Sequence, residues 1–144
     1  GGFQHAVIEF ARNVLGLTGA DHAESAPQAT TPIISPLSCA LVEREGTIYL
    51  SEGSRLSAAY ASAVVTERYH CSFGVNSAFL PALRDGGLRL VGFDREGDLR
   101  AIEISEHPFF VATLFQPERS ALRGAAHPVV TAFLSAAIIG SSQR

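Results

Sequence analysis

A mixed α/β domain is predicted by three features of this 144-residue chain: helical periodicity at both ends, strand-like runs paired around short turn signals between them, and a second helical signal at its centre. From Phe3, apolar residues fall at Ala6, Val7, Phe10, Ala11, Val14 and Leu15 with polar residues between them, so 2–15 reads as a helix that Gly16 ends. On it, Phe3, Val7, Phe10 and Val14 are expected to face a sheet. Thr18 to Pro36, with three prolines among Ala, Thr and Ser, reads as a long loop, and loops of that length are usually functional. Leu37–Glu43 and Thr47–Leu50 are strand-like and flank Glu45-Gly46, the pattern of a hairpin, while 55–63 carry no clear signal. Val64–Tyr69 reads as a strand. Asn76–Arg84 reads as a helix opened by Asn76 and closed by Gly86-Gly87. Leu88–Phe93 and Leu99–Ile104 form a second hairpin around Gly97. Phe109–Phe115, continuously apolar, reads as a strand buried on both faces, and Pro128–Ile139 as a final helix with proline in its first turn.

The size and the 47% hydrophobic content suit one compact domain rather than a disordered tail. No apolar run reaches the ~18 residues of a membrane span, so a soluble, cytoplasmic protein is expected. Eleven arginines and no lysine against 14 carboxylates, net charge −3, argue against a nucleic-acid surface, and the arginine bias points to a GC-rich bacterial source. Cys39 and Cys71 are too few and too unrelated for a disulfide scaffold; Cys39 reads as a core residue. The five histidines show no metal-ligand spacing, so neither a metal nor a cofactor is expected. The chain contains no Met and is expected to begin inside a longer protein.

Three segments then carry a resemblance. Gly1-Gly2-Phe3-Gln4 leads into His5–Arg12; Glu67-Arg68-Tyr69-His70-Cys71-Ser72-Phe73-Gly74-Val75-Asn76 follows; His107–Glu118, containing Phe115-Gln116-Pro117-Glu118, ends with His127-Pro128. In this order they resemble the glutaminase domain of class I glutamine amidotransferases, most nearly the amidotransferase domain at the C-terminus of CTP synthase. The resemblance implies a flavodoxin-like three-layer α/β fold. Residues 1–144 would be its C-terminal portion, starting just after the nucleophile elbow and lacking the first strands and helices.

It also implies a site. The family's nucleophilic Cys would lie immediately before Gly1, outside the chain, at the amino end of a helix that lowers a thiol pKa. Gly1 and Gly2 would permit the tight elbow and border the substrate. Gln4 matches a position that touches the bound amide, and Glu24 one that binds the substrate ammonium. Ser72 replaces an arginine that clamps the substrate carboxylate, which removes that charge. Gln116 stands where the family has its catalytic His, while Glu118 is retained. An amide cannot relay a proton near neutral pH, so the usual base is absent.

His70 and Cys71 are adjacent, so an extended backbone points them to opposite faces and they cannot pair with each other. They read first as packed or hydrogen-bonded residues and second as catalytic candidates. Two outcomes are open: a cysteine-dependent amidohydrolase or acyltransferase that is no ordinary glutaminase, or a pseudoenzyme that binds a small amine- or amide-bearing molecule without turnover. Family relatives with selenocysteine add thiol or selenol redox chemistry as a third. The expected pocket lies between Gln4, Glu24, Ser72 and Gln116. Its partners would be that small molecule and the missing N-terminal half-domain, with a homo-oligomer left open.

Overall fold

The computed structural model describes residues 1–142. Helix α1 (Gly2–Asn13) is followed by strands β1 (Ala20–His22) and β2 (Thr31–Leu50), helix α2 (Arg55–Tyr60) and strand β3 (Val64–Val75). Then come a 3-10 turn at Ser77–Phe79, α3 (Leu80–Asp85), β4 (Arg89–Asp94), β5 (Leu99–Glu103), β6 (Val111–Thr113), α4 (Glu118–Ala121) and α5 (Pro128–Ser142). The mixed α/β class predicted from the sequence is the one observed. One six-stranded sheet runs β1-β2-β4-β5-β6, with β3 paired to β2 beside this path; β1 and β2 are parallel, and the other pairs are antiparallel.

The first helix buries Phe3, Gln4, Val7, Ile8 and Ala11, the spacing of one helical face, and its apolar members belong to the same core as Ile33, Ile34, Tyr69 and Phe115. Val14 is 59% exposed rather than sheet-facing, because the helix ends at Asn13 and position 14 leaves that face. The central helix is shorter than expected, a 3-10 turn capped by Asn76, whose side chain accepts from the Ala78 amide, running into α3. The β4–β5 hairpin forms as read.

Four expectations are corrected. The loop of 18–36 is interrupted by β1 and by the start of β2, since residues 20–22 find a parallel partner in 31–34 that local composition does not reveal. Glu45-Gly46 is no turn: β2 runs straight through it against β3, with Glu45 opposite Arg68 and Gly46 opposite Glu67. The glycine serves a close approach instead, because a Cβ at Gly46 would lie 3.1 Å from the Tyr69 ring. Phe109–Phe115 contributes only the three-residue β6, an edge strand paired to β5 alone and half-buried, so it is not covered on both faces. Cys39 is exposed, because Leu37–Ala40 bulge out of β2 between the pairs Pro36–Phe73 and Leu41–Cys71.

A polar knot ties α2, β3 and the start of α5. The Tyr60 hydroxyl donates to Glu67 Oε1 at 2.5 Å, and His127 Nε2 lies 2.9 Å from the same oxygen. The Val129 amide donates to His127 Nδ1, which leaves the imidazole proton on Nε2 to face the carboxylate. Burial raises the Glu67 carboxyl, but the hydrogen bonds from His127 and Tyr60 outweigh it and hold its pKa below the ordinary value of 4.5. A carboxyl that titrates lower in the folded than in the unfolded chain stabilises fully above about pH 4.5 and loses that contribution as pH falls through the folded value. Urea melts between pH 6 and pH 3 are expected to show that loss, and Glu67→Gln to flatten it.

Candidate functional site

The amino end of α1 opens into a cavity of about 200 Å³. Gly1 caps the helix without a side-chain bond, and no acidic residue occupies the first turn, so the end amides and their partial positive charge remain available to a ligand. The opposite walls are His70 and Cys71 of β3 and the segment from Thr113 to Glu118.

Gln4 points from α1 to β3: its Nε2 donates to Cys71 Sγ at 3.0 Å and to the Phe73 carbonyl at 3.3 Å. Cys71 in turn donates to the Phe73 carbonyl at 2.9 Å, so thiol and amide form one internal link. Gln116 is fixed by its backbone, whose amide donates to the Arg68 carbonyl at 3.0 Å, and by Arg119, whose Nε donates to the side-chain oxygen. Its NH2 is thus the group left for a ligand.

Around this wall runs a chain of charges. Arg119 forks onto Glu43 with contacts of 2.8 and 3.0 Å, and His70 Nδ1 sits 2.8 Å from Glu43 Oε1. Hydrogen bonds from Arg119 and then His70 pull the Glu43 carboxyl down to about 2. With Nδ1 donating to a carboxylate, His70 keeps Nε2 as an acceptor, the tautomer required of a general base. Glu43 holds this position with φ of +51°, a conformation costly to a non-glycine residue, at the second irregularity of β2.

Of the residues singled out in the sequence, Gly1, Gly2, Gln4, His70, Cys71, Gln116 and Glu118 line one cavity. Glu24 and Ser72 do not. Glu24 is exposed on the β1–β2 loop with its amide on His22 Nδ1 at 3.2 Å, and Ser72 alternates with Cys71 along β3 and faces solvent. His70 and Cys71 both line the cavity and bond separately, the exposed imidazole to Glu43 and the half-buried thiol to the Phe73 carbonyl. Glu43 was not legible as a site residue: it lies in a strand 27 positions before His70 and reaches it through the β2–β3 pairing alone. His22, stacked at 4.9 Å on Phe73, also escaped notice; burial, opposed by Glu24, holds its pKa below the ordinary value.

The fold matches a known structure. The glutaminase domain of Trypanosoma brucei CTPS with bound acivicin superposes with a TM-score of 0.82 at 27% identity, over 94% of this chain and 57% of that one. This chain is a glutamine amidotransferase-like domain related to that of CTP synthase. The CTP synthase of Pyrobaculum aerophilum is 34% identical over 95% of the chain, that of Symbiobacterium thermophilum 37% over 95%, and that of a Synechococcus strain 38% over 94%. The chain covers only 28%, 27% and 26% of those relatives, just over a quarter of their length. No family model matches it. No helix among the described residues of this glutamine amidotransferase-like domain is long and apolar enough to cross a membrane.

Proposed function

We propose that this amidotransferase-like domain performs thiol-dependent acyl transfer or hydrolysis on a small amide bearing an amine but no free α-carboxylate, with His70 oriented by Glu43 as its base. The nucleophile is a thiol supplied from immediately before Gly1, and the chain forms the C-terminal portion of the domain. The observation that carries this reading is the His70–Glu43 contact of 2.8 Å on the wall of the cavity into which α1 opens. Base, orienting carboxylate and helix terminus are three of the four parts of a nucleophilic site.

The chemistry balances without any cofactor. His70 Nε2 takes the thiol proton as the sulfur attacks the amide carbonyl carbon, and the carbon–nitrogen bond breaks as the same nitrogen passes that proton to the departing amine. Water then attacks the thioester, giving its proton to His70, and the carboxylate product leaves with the thiol restored. The Gln116 NH2 and the first amides of α1 are donors suited to the developing oxyanion. Glu118 is the one carboxylate lining the cavity and is the partner for the substrate ammonium in place of Glu24. The apolar face of α5, with Phe133, Leu134 and Ile138 each more than half exposed, suits cover by the rest of the domain.

His70→Ala in the protein as encoded is expected to lower amide turnover by about 10²–10⁴-fold, the range for a positioned general base. An unchanged rate would remove His70 from the chemistry. Turnover absent from both proteins, with ligand binding retained, would favour the non-catalytic reading, which the tethering of Gln116 by Arg119 supports.

A further inference from the structure

We propose that Arg119 is a positioning residue of the α1 cavity and that, through it, the cavity selects a ligand presenting a carbonyl oxygen, that of a carboxamide or an ester, to the Gln116 NH2. This rests on reading that cavity as a ligand site and adds what sets its hydrogen-bonding polarity. Arg119 does not line the cavity; it stands behind the wall in α4, its side chain 23% exposed. From there it reaches both groups that the proposed chemistry uses. Its Nε donates to Gln116 Oε1, while Nη1 and Nη2 donate to Glu43 Oε2 and Oε1 at 2.8 and 3.0 Å, and Glu43 Oε1 also meets His70 Nδ1 at 2.8 Å. One guanidinium thereby joins Gln116 to the imidazole along the wall. The main chain closes the same turn, because the Arg119 amide donates to the Gln116 carbonyl at 3.1 Å.

The guanidinium decides which end of the Gln116 amide faces the ligand. A free glutamine side chain turns end for end and offers a donor or an acceptor as required. A guanidinium carries donors only, so Gln116 must turn its oxygen to Arg119 and its NH2 away. Gln116 lines the cavity, and among the described residues no hydrogen bond occupies its Nε2. At this point the wall therefore offers a donor and not an acceptor. Lysine cannot do the same, since its compact ammonium lacks the planar fork that spans Gln116 and both oxygens of Glu43.

Titration calorimetry of the protein as encoded with glutaminamide and with its side-chain thioamide tests this, because sulfur is the poorer acceptor while the thioamide N–H is the better donor. Glutaminamide is expected to bind about three- to tenfold more tightly, the worth of one hydrogen bond. Arg119→Met, which keeps length and removes every donor, should bring that ratio to about one or below, since the freed amide turns its oxygen to the thioamide N–H. Arg119→Lys, which keeps a cation beside Glu43, should lower the ratio too, and it carries the test if Arg119→Met does not fold. Equal affinities in the unaltered protein would overturn the proposal. So would a ratio unchanged in either variant, including weaker binding of both ligands by the same factor, the mark of a merely structural role. Binding is read here without turnover: hydrolysis absent with the ratio and its loss in the variants intact would remove the acyl-transfer reading alone, whereas binding of neither ligand would overturn both.

Discussion

Glutamine is expected to bind the cavity at the start of α1 about 100-fold or more weakly than its α-carboxamide, a gap of roughly 3 kcal/mol. The physical reason is an uncompensated carboxylate. Ser72, at the position where the sequence resemblance implies a carboxylate-clamping arginine, faces solvent and lines none of the cavity. Among the described residues no guanidinium lines it either: Arg68 is engaged by Glu45, Arg119 by Glu43 and Gln116, and Arg123 is exposed elsewhere. A carboxylate carried into that space gives up water and gains no cation, whereas a carboxamide gives up far less. Calorimetric titration of the protein as encoded with glutamine, glutaminamide, a glutamine ester and a simple amine measures the order directly. Glutamine binding as tightly as glutaminamide would contradict it and reveal a clamp from outside the described residues. The ammonium side has its own control, since Glu118→Gln should weaken the carboxamide and Glu24→Ala should leave it unchanged.

Glu67→Ala is expected to cost about 3 kcal/mol, because each hydrogen bond to a charged group contributes roughly 1.5–3 kcal/mol and this carboxylate receives two. In a domain of this size that corresponds to a fall of about 6–12 °C in Tm. The deletion removes the acceptor that Tyr60 and His127 share, leaves the two only each other at 3.0 Å, and so cuts α2 and α5 loose from β3 at one point. Thermal melts of Glu67→Ala, His127→Ala and the double variant test this. The double variant should be no worse than Glu67→Ala alone by more than a few tenths of a kcal/mol if the residues act as one knot. Additive losses would show that they act independently.

Glu67 and His127 also show how far sequence reading reaches. Both stand in segments that carry the family resemblance, yet nothing in their spacing reveals that they meet, 60 positions apart. The amphipathic α1, the β4–β5 hairpin and the proline-led α5 were legible because each depends on local periodicity and on turn or capping residues within a few positions. So was the gathering of Gly1, Gly2, Gln4 and Gln116, through the order of three motifs. The tertiary structure alone decided the rest. Gly46 reads locally as a turn, but pairing with β3 on either side carries the strand through it and turns the glycine into room for the Tyr69 ring. Cys39 reads as a strand interior until the bulge lifts it out. His70 becomes a candidate base only when the same pairing, with Glu43 displaced at an irregularity, sets a carboxylate 2.8 Å from its ring. Local sequence specifies elements through forces that act over a turn or two; register and bulges come from long-range packing, and they decide which charged side chains meet.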